Sequence, residues 1–400
     1  MGRPPAAVLA ATAVLLLAAC GAGATASEPT WRPKPSFTGE NANPGPRQPV
    51  QPHQGGPPAR SGRPGAPSGS GTKTDPAVVA TNLTTPTGIA IMPDNTALVG
   101  ERTTGRILRV RPLAGRPVTT VRTITGLSTV GGGGLLDLAL SPNYVEDNLI
   151  FAYLTSPADN RVVDFTLTGP VTPVVTGIPR GRSDNTGRIA FAANGDLLIG
   201  TGDGGRAADA ASPNSLAGKV LRVTDIGTPA AGNPSPGSRV YTSGHRVVDG
   251  LCTSTDSTSV FEVETRPRDA ADPINLLEPG ASYGWPQPGS AYRGPANAVP
   301  DSARSPGGCA VLSRRLYVTS RDGSELLSAR IGPSTRGRPT IGAYAVALRK
   351  RYGRLLTVVA AGDGALWLTT TNRDGAGRPV ADDERVLRIV PSGGSAHDRT

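Results

Sequence analysis

A short strand–turn–strand unit recurs along this chain at intervals of about fifty residues. It is clearest from Asp184 to Val223, where two alternating apolar segments flank an Asn194-Gly195 turn and a third segment, KVLRV, follows a long polar loop. Apolar alternation on both sides of Asn-Gly is the strongest short-range signal for a β-hairpin. The unit therefore predicts a small antiparallel sheet, and the long polar loop is where we expect a functional site.

The spacing of the turns indicates how many such sheets the chain contains. Asp94, Asn143 and Asn194 are separated by 49 and 51 residues, and Asp363 follows after 169 more, room for three further units. Small sheets repeated every 40–50 residues or so are typical of β-propeller blades. We predict an all-β fold, a six-bladed β-propeller of four-stranded antiparallel blades over residues 76–392, with Ala77–Leu83 as an outer strand that closes the ring. A sandwich or barrel built of several domains is the alternative.

The first 75 residues and the last eight lie outside this repeat. Residues 1–19 have the positive start, apolar segment and small residues of a signal peptide, and LAAC ending at Cys20 resembles the lipobox of bacterial lipoproteins. We expect acyl chains on Cys20 to anchor the protein in the cell membrane on its extracytoplasmic face. An ordinary secretory signal is the alternative. Residues 20–75 are rich in proline and glycine, which predicts a disordered tether, and residues 393–400 form a tail.

Charge and composition limit the partners and the chemistry. The net charge of +10 is carried mostly by arginines spread along the chain, and aromatic residues make up only 4%. A nucleic-acid groove needs a continuous basic track with stacking aromatics, so we expect no nucleic-acid partner. Only His245 of the three histidines lies in the predicted fold, so any histidine-dependent catalysis would have to use it. With Cys20 acylated, Cys252 and Cys309 remain as an even pair, which predicts a disulfide in an exported protein.

Five motifs occur in an order that resembles the glucose/sorbosone dehydrogenase family, the soluble PQQ-dependent aldose dehydrogenases. They are GRIAF at 187–191, GTGD at 200–203, NSLAGKVLR at 214–222, YTSGHR at 241–246 and NLLEPGASYGWP at 275–286. The resemblance implies a six-bladed propeller that oxidises a sugar hydroxyl or hemiacetal. In that reaction a general base takes the hydroxyl proton, PQQ accepts the hydride, and Ca2+ polarises the quinone. A small-molecule sugar is the implied substrate.

The resemblance also implies roles for individual residues. Asp184 stands where the family has its catalytic histidine and is the candidate base. Arg246 and Arg354 match family arginines that bind PQQ. The main-chain carbonyls of Arg266 and Pro267 match those that hold calcium, an ion that prefers oxygen ligands.

Several pocket positions depart from the family pattern. A carboxylate such as Asp184 has a lower proton affinity than an imidazole. Asp322 stands where the family has a PQQ-binding lysine, and Leu356 replaces the second arginine of an Arg-x-Arg pair. Each lost charge-assisted contact to a carboxylate costs about 1.5–3 kcal/mol of binding free energy. These changes predict weak or absent PQQ binding.

Three functions therefore remain open at the level of the sequence. The first is an exported quinoprotein dehydrogenase with a modified site. The second is a non-catalytic propeller that binds an envelope glycan or a protein. The third is a calcium-dependent, lactonase-like hydrolase whose candidate ligands are Asp203, Asp209, Asp269, Asp272 and Asn275.

Overall fold

The computed structural model describes Gly2 and residues 75–253, 259–335 and 338–391. Every described strand belongs to the unit Ser70–Thr400. The predicted signal peptide, Cys20, the tether up to residue 74 and the tail at 393–400 lie outside the described residues, apart from Gly2. No helix in the described ranges is long and apolar enough to cross a membrane.

Six sheets of four antiparallel strands make up the described fold, which confirms the predicted six-bladed propeller. The first blade contains β2 (Pro86–Ile91), β3 (Ala97–Glu101), β4 (Arg106–Val110) and β5 (Thr119–Thr123). The second contains β6 (Leu135–Leu140), β7 (Ile150–Thr155), β8 (Asn160–Phe165) and β9 (Thr172–Ile178). The third contains β10 (Gly187–Phe191), β11 (Leu197–Thr201), β12 (Lys219–Val223) and β13 (Val240–Ser243).

The remaining blades follow the same order. The fourth contains β14 (Val248–Thr253), β15 (Val260–Glu264), β16 (Pro273–Leu276) and β17 (Asn297–Ala298). The fifth contains β18 (Pro306–Leu312), β19 (Arg315–Ser320), β20 (Glu325–Thr335) and β21 (Arg338–Arg349). The sixth contains β22 (Leu355–Ala360), β23 (Leu366–Thr370), β24 (Val386–Ile389) and β1 (Val78–Ala80). The described helices are short: α1 (Tyr144–Asp147), α2 (Ala207–Ala211) and two 3-10 turns, Val130–Gly132 and Asp301–Ala303.

The N-terminal strand of the propeller closes the ring. The first strand of each blade contacts the first strand of the next, and β22 contacts β2. In the sixth blade β1 supplies the outer strand, with Val78 opposite Leu387 and Ala80 opposite Val386. This confirms that the segment predicted to close the ring does so, although the strand spans Val78–Ala80 and not the whole of Ala77–Leu83.

Both faces of a blade are apolar because each blade packs between two neighbours. Successive side chains of a strand point to opposite faces of its sheet. In β11, Leu197 and Ile199 pack against the second blade, whereas Leu198 packs against the fourth. Six clusters of buried apolar residues result, one at each interface between blades.

A disulfide joins the innermost strands of two blades. Cys252 on β14 and Cys309 on β18 are bonded, and their Cα atoms lie 5.8 Å apart, within the usual range for disulfides. The bond links the fourth blade to the fifth, and both cysteines are buried.

Candidate functional site

The residues singled out from the sequence lie on one face of the propeller, here called the upper face. This face carries the loops between the second and third strands of each blade and the connections between blades. Asp184 and Arg246 lie in the connections before β10 and β14, and Arg354 lies in the one before β22. Arg266 and Asp322 lie in loops inside the fourth and fifth blades. Since strand direction alternates within each sheet, all these segments meet at the same end.

Asp184 is presented by a loop that a buried side chain fixes. Its backbone is left-handed, with φ of 52°, a conformation that few residues other than glycine adopt. The buried Asn185 beside it donates to the carbonyls of Val130 and Gly181 at 3.1 and 2.8 Å and accepts from the Gly181 N–H at 2.8 Å. The Asp184 side chain remains 23% exposed, so a small molecule bound at the upper face can reach its carboxylate.

An arginine lies beside this carboxylate and against a tryptophan. Arg246 Nη2 lies 3.5 Å from Asp184 Oδ2, and its guanidinium lies 5.6 Å from the centre of the Trp285 ring. Trp285 is itself fixed, because its Nε1–H donates to Asp203 Oδ2 at 2.8 Å. Burial raises the pKa of Asp203, although hydrogen bonds from Trp285 and from the Gly205 N–H oppose this. Asp184 is therefore an accessible carboxylate next to an oriented positive charge.

Arg354, the second predicted cofactor-binding arginine, is already paired. It donates from Nη1 to Asp322 Oδ1 and from Nε to Asp374 Oδ2, both at 2.9 Å. Burial raises the pKa of Asp322, but hydrogen bonds from Ser305 and Arg354 outweigh it, so this pKa lies below its usual value. Asp322 is thus ionised at neutral pH. Two carboxylates neutralise Arg354, which weakens its attraction for any further carboxylate.

The carbonyls matched to calcium ligands lie among hydrogen-bond donors. The Pro267 oxygen accepts from the Ala270 N–H at 3.0 Å and from Arg304 Nη2 at 3.1 Å. A carbonyl oxygen has two lone pairs, so both are in use. The guanidinium of Arg266 adds a second positive charge, which pairs with Glu264. A calcium ion would have to displace a guanidinium here, and the geometry gives it no support at this pair.

Three arginines that the sequence analysis did not single out line a cavity of about 240 Å³ at the upper face. Arg102 and Arg321 directly follow β3 and β19, the second strands of the first and fifth blades, and Arg188 lies on β10. Asp249 and Asp374 also line the cavity, so three guanidinium groups face two carboxylates. The position after the second strand is equivalent in every blade. Aligning the sequences of the six blades would therefore have identified Arg102 and Arg321 as residues at this equivalent position.

Arg188 closes the central channel below this cavity. Its guanidinium donates to the carbonyls of Asp249, Leu136 and Gly307 at 2.5, 3.2 and 2.9 Å. These carbonyls belong to the fourth, second and fifth blades. Arg188 Nη1 also lies 3.9 Å from Asp137 Oδ1, and burial raises the pKa of Asp137 to about 6, although Arg188 lowers it. Arg188 and Asp249 line a second cavity as well, of about 370 Å³ on the opposite side of the channel.

His245, the only histidine among the described residues, is fully buried. Its Nε2 lies 2.9 Å from Thr242 Oγ1, its Nδ1 lies 3.7 Å from Glu262 Oε2, and its ring stacks on Tyr283. Burial lowers the pKa of His245 well below its usual value, and burial together with Glu264 raises the pKa of Glu262. A side chain with no exposed surface cannot take a proton from a bound substrate. Histidine-dependent nucleophilic catalysis is therefore excluded at His245.

The acidic residues considered for a calcium funnel do not converge. Asp203 and Asp272 are buried and accept hydrogen bonds from main-chain N–H groups, and Asp209 pairs with a neighbouring arginine at 2.8 Å. Across the described ranges, one group of acidic, histidine or cysteine side chains is close enough to hold a metal ion, and it is the cluster around His245. The described acidic side chains therefore give the lactonase-like alternative no support.

Comparison with known proteins identifies the family that this sequence matches. Residues 83–308 match the family model described as Glucose / Sorbosone dehydrogenase. Quinoprotein glucose dehydrogenase B of Acinetobacter calcoaceticus is 29% identical over 257 residues, 53% of this chain and 52% of that protein. Aldose sugar dehydrogenase YliI of Escherichia coli is 27% identical over 235 residues, 52% of this chain and 61% of that protein. The chain thus spans little more than half the length of these curated relatives.

Solved structures agree with the fold over a longer range. The PQQ-bound form of aldose sugar dehydrogenase from Streptomyces coelicolor is 38% identical and matches with a TM-score of 0.72, covering 78% of this chain and 95% of that one.

Proposed function

Because the chain belongs to the glucose/sorbosone dehydrogenase family, we propose that it is a PQQ-dependent sugar dehydrogenase whose cofactor-binding charges have moved within the upper face. We also propose that it is an exported lipoprotein, held at the extracytoplasmic side of the membrane through acylated Cys20. The relatives that support this proposal include a quinoprotein glucose dehydrogenase and a PQQ-bound aldose sugar dehydrogenase.

One observation carries the enzymatic proposal: the partly exposed carboxylate of Asp184 lies close in sequence to an arginine-lined cavity. Asp184 and Arg246, 3.5 Å apart, each lie two residues before a residue that lines this cavity, Thr186 and Val248 respectively. The family resemblance implied that Arg354 binds PQQ, but Asp322 and Asp374 already neutralise its positive charge. Arg102 and Arg321, the latter in a longer ion pair of 3.4 Å with Asp249, supply positive charge from the first and fifth blades instead.

The described residues fit the charge of PQQ but not the calcium ion. PQQ carries carboxylate groups, and guanidinium groups are the side chains best suited to bind carboxylates, in paired hydrogen bonds. Arg102, Arg246 and Arg321 would hold the cofactor at the upper face. When bound, PQQ supplies a two-electron acceptor for oxidation of the sugar. The hydrogen bonds to the Pro267 carbonyl argue against a calcium ion at the position that the resemblance implied.

The protein residues have separate tasks in this proposal. Asp184 takes the proton of the sugar hydroxyl, and its position is fixed by the left-handed backbone and by Asn185. Arg246 orients that carboxylate from 3.5 Å. Arg188 closes the channel beneath the cavity with three hydrogen bonds to carbonyls, so the reacting groups are shielded from the water on the opposite face.

Dye reduction tests the proposal. With PQQ added, the full chain should reduce an electron-accepting dye in the presence of aldoses, and Asp184→Asn should lower the rate at least a hundredfold, the usual scale for removing a general base. Asp209→Asn is the matched control, because Asp209 is an upper-face aspartate that pairs with Arg206, and it should keep the full rate. Equal rates in the two variants would contradict the role of Asp184.

A second function, a non-catalytic propeller that binds an envelope glycan or protein, is favoured by one observation. Arg354 pairs through Nη1 with Asp322 and through Nε with Asp374. Such pairing within the protein stabilises the charge of Arg354 without any cofactor. Under this alternative the protein shows no dye reduction with any aldose, and PQQ leaves its melting temperature unchanged.

A further inference from the structure

A histidine and two glutamates meet inside the propeller between the third and fourth blades. Glu262 and Glu264 are two positions apart on β15, so their side chains point to the same face of the strand. His245 faces them from the connection between β13 and β14. All three residues are fully buried, with no exposed surface. Ionisable groups at this depth need a counter-charge or complete hydrogen bonding.

Several atoms of this cluster are hydrogen-bonded to neighbouring residues. His245 Nε2 lies 2.9 Å from Thr242 Oγ1, and Asn275 Nδ2 donates to Glu262 Oε2 at 2.6 Å. Glu264 accepts from the Arg246 N–H at 2.8 Å and from Arg266 Nε at 3.0 Å. A metal-binding histidine characteristically has its other nitrogen hydrogen-bonded, as do metal-binding carboxylates.

Two other atoms of the cluster, by contrast, are unpaired. His245 Nδ1 and Glu262 Oε1 are both buried and have no hydrogen-bond partner among the described residues. With the proton of His245 on Nε2, toward Thr242, the free lone pair lies on Nδ1. A buried donor or acceptor left without a partner costs about 1–3 kcal/mol, which a bound cation would remove.

The charges around the cluster also leave a place for a cation. Arg266 pairs with Glu264, and the described contacts of Glu262 include no Lys or Arg ion pair. The ammonium of the buried Lys219 is used elsewhere, because it donates to the carbonyls of Asp209, Ala210 and Ala217 at 2.7, 2.8 and 2.9 Å.

We propose that His245, Glu262 and Glu264 form a buried binding site for one divalent transition-metal ion, with zinc as the best match. The candidate ligand atoms all lie within 4.8 Å of one another. Zinc bonds to nitrogen and oxygen of about 2.0–2.2 Å place tetrahedral ligands roughly 3.4 Å apart. The Glu262 carboxylate is close to that spacing from His245 Nδ1, since its Oε2, the oxygen that accepts from Asn275, lies 3.7 Å away. One imidazole and two carboxylates suit zinc, whereas calcium takes six to eight oxygen ligands.

The ion would stabilise the protein interior beneath the upper face. His245 and Glu264 directly precede Arg246 and Thr265, so tying their side chains together fixes two upper-face loops at their bases. This inference does not depend on PQQ binding or on sugar oxidation, and it concerns a site distinct from the carbonyls of Arg266 and Pro267.

Metal analysis of the purified full chain tests the proposal, using an affinity tag without histidine. Because the site has no exposed surface, the protein should be unfolded in guanidinium with a chelator, its disulfide intact, and refolded with or without Zn2+. The expected result is one zinc ion per chain after refolding with Zn2+, and an anomalous-scattering peak between His245 and Glu262 in crystals at the zinc absorption edge.

Two variants separate a metal site from other roles of the same residues. Glu262→Gln keeps the shape of the side chain but removes the ligand, and zinc content should fall at least tenfold. Glu101→Gln is the matched control, because Glu101 is a fully buried glutamate that pairs with Arg106 in the first blade; it should keep the full zinc content.

Three outcomes would overturn the proposal. One is a wild-type protein that refolds with less than a tenth of an equivalent of zinc. Another is a zinc content that Glu262→Gln leaves unchanged. The third is a wild-type melting temperature that Zn2+ does not change and that is no higher than the melting temperature of Glu262→Gln. That result would mean that Glu262 is protonated at this site and binds no metal. Should Glu262→Gln fail to fold, the anomalous map of the wild-type crystal decides alone.

Discussion

Arg188→Met is the substitution that most directly tests how the propeller is held at its centre. Arg188 on β10 donates to carbonyls of three other blades at 2.5, 3.2 and 2.9 Å and lies 3.9 Å from Asp137. Its side chain is only 12% exposed. Methionine has a similar length but no donor, so the change removes all three hydrogen bonds and leaves Asp137 without its counter-charge.

The expected loss of stability follows from these contacts. A hydrogen bond from a charged donor contributes about 1.5 kcal/mol at the lower end of its range, so three contribute about 4–5 kcal/mol. Removing one partner of a buried ion pair costs a similar amount, about 3–5 kcal/mol. For a domain of this size, each kcal/mol shifts the melting temperature by about 2 °C. We therefore expect a fall of about 8–10 °C.

Urea unfolding followed by tryptophan fluorescence measures this loss, and an unchanged slope with urea would show that the folded state keeps its compactness. Arg349→Met serves as the control, because Arg349 pairs with Glu325 at 3.1 Å but is 65% exposed; such surface pairs contribute less than about 1 kcal/mol. A loss in Arg188→Met no larger than in Arg349→Met would refute the account of the channel.

Three further predictions concern pH, the disulfide and the anchor. Burial raises the pKa of Asp137 from 3.8 to about 6, so the folded state binds this proton more tightly than the unfolded state does; the free energy of unfolding should fall by about 2 kcal/mol as the pH rises from 4 to 6, and Asp137→Asn should flatten that decline. Reducing the Cys252–Cys309 disulfide, which closes a 57-residue separation, should lower the free energy of unfolding by up to about 4 kcal/mol, measured by denaturation with and without reductant; equal midpoints would contradict it. Cys20→Ser should move the protein from the membrane fraction to the soluble fraction on immunoblots, and continued membrane association would show that acylation of Cys20 is not the anchor.

The fold could be predicted from the sequence because its information is local and repeated. Alternation around the turns at Asp94, Asn143, Asn194 and Asp363 defines the first hairpin of four blades, and their spacing gives the number of blades. The closing strand was predictable because a ring must pair its last blade with a free segment, and Val78–Ala80 is the apolar segment available before the first blade. Counting cysteines was enough for the disulfide.

The candidate site was predictable only in part, because it depends on contacts between distant blades. Asp184 and Arg246 were identified from motifs and lie 3.5 Å apart. The occupancy of the Pro267 carbonyl by Arg304, 37 residues later, leaves no trace in either local segment. Arg102 also lines the cavity; it could have been found only by aligning the repeats, because no motif within the first blade marks it.

The buried cluster shows a second limit of sequence reasoning. Glu262 and Glu264 occupy alternate positions of a strand, a pattern that normally marks a solvent-facing side. In a propeller that side faces the next blade, so these glutamates are enclosed together with His245. Their meeting depends on packing between blades, which the sequence of one blade does not specify.

Calorimetric titration of PQQ into the full chain tests the central claim most directly, that arginines of the upper face bind this carboxylate cofactor. We expect one site, at least tenfold weaker in Arg321→Met, since a lost charge-assisted hydrogen bond of 1.4 kcal/mol or more changes the dissociation constant by about tenfold. Asp322→Asn, which frees Arg354 from one of its two carboxylates, should bind PQQ more tightly than the wild type. No measurable binding by the wild type and by Asp322→Asn, or equal affinity in Arg321→Met and wild type, would contradict the claim.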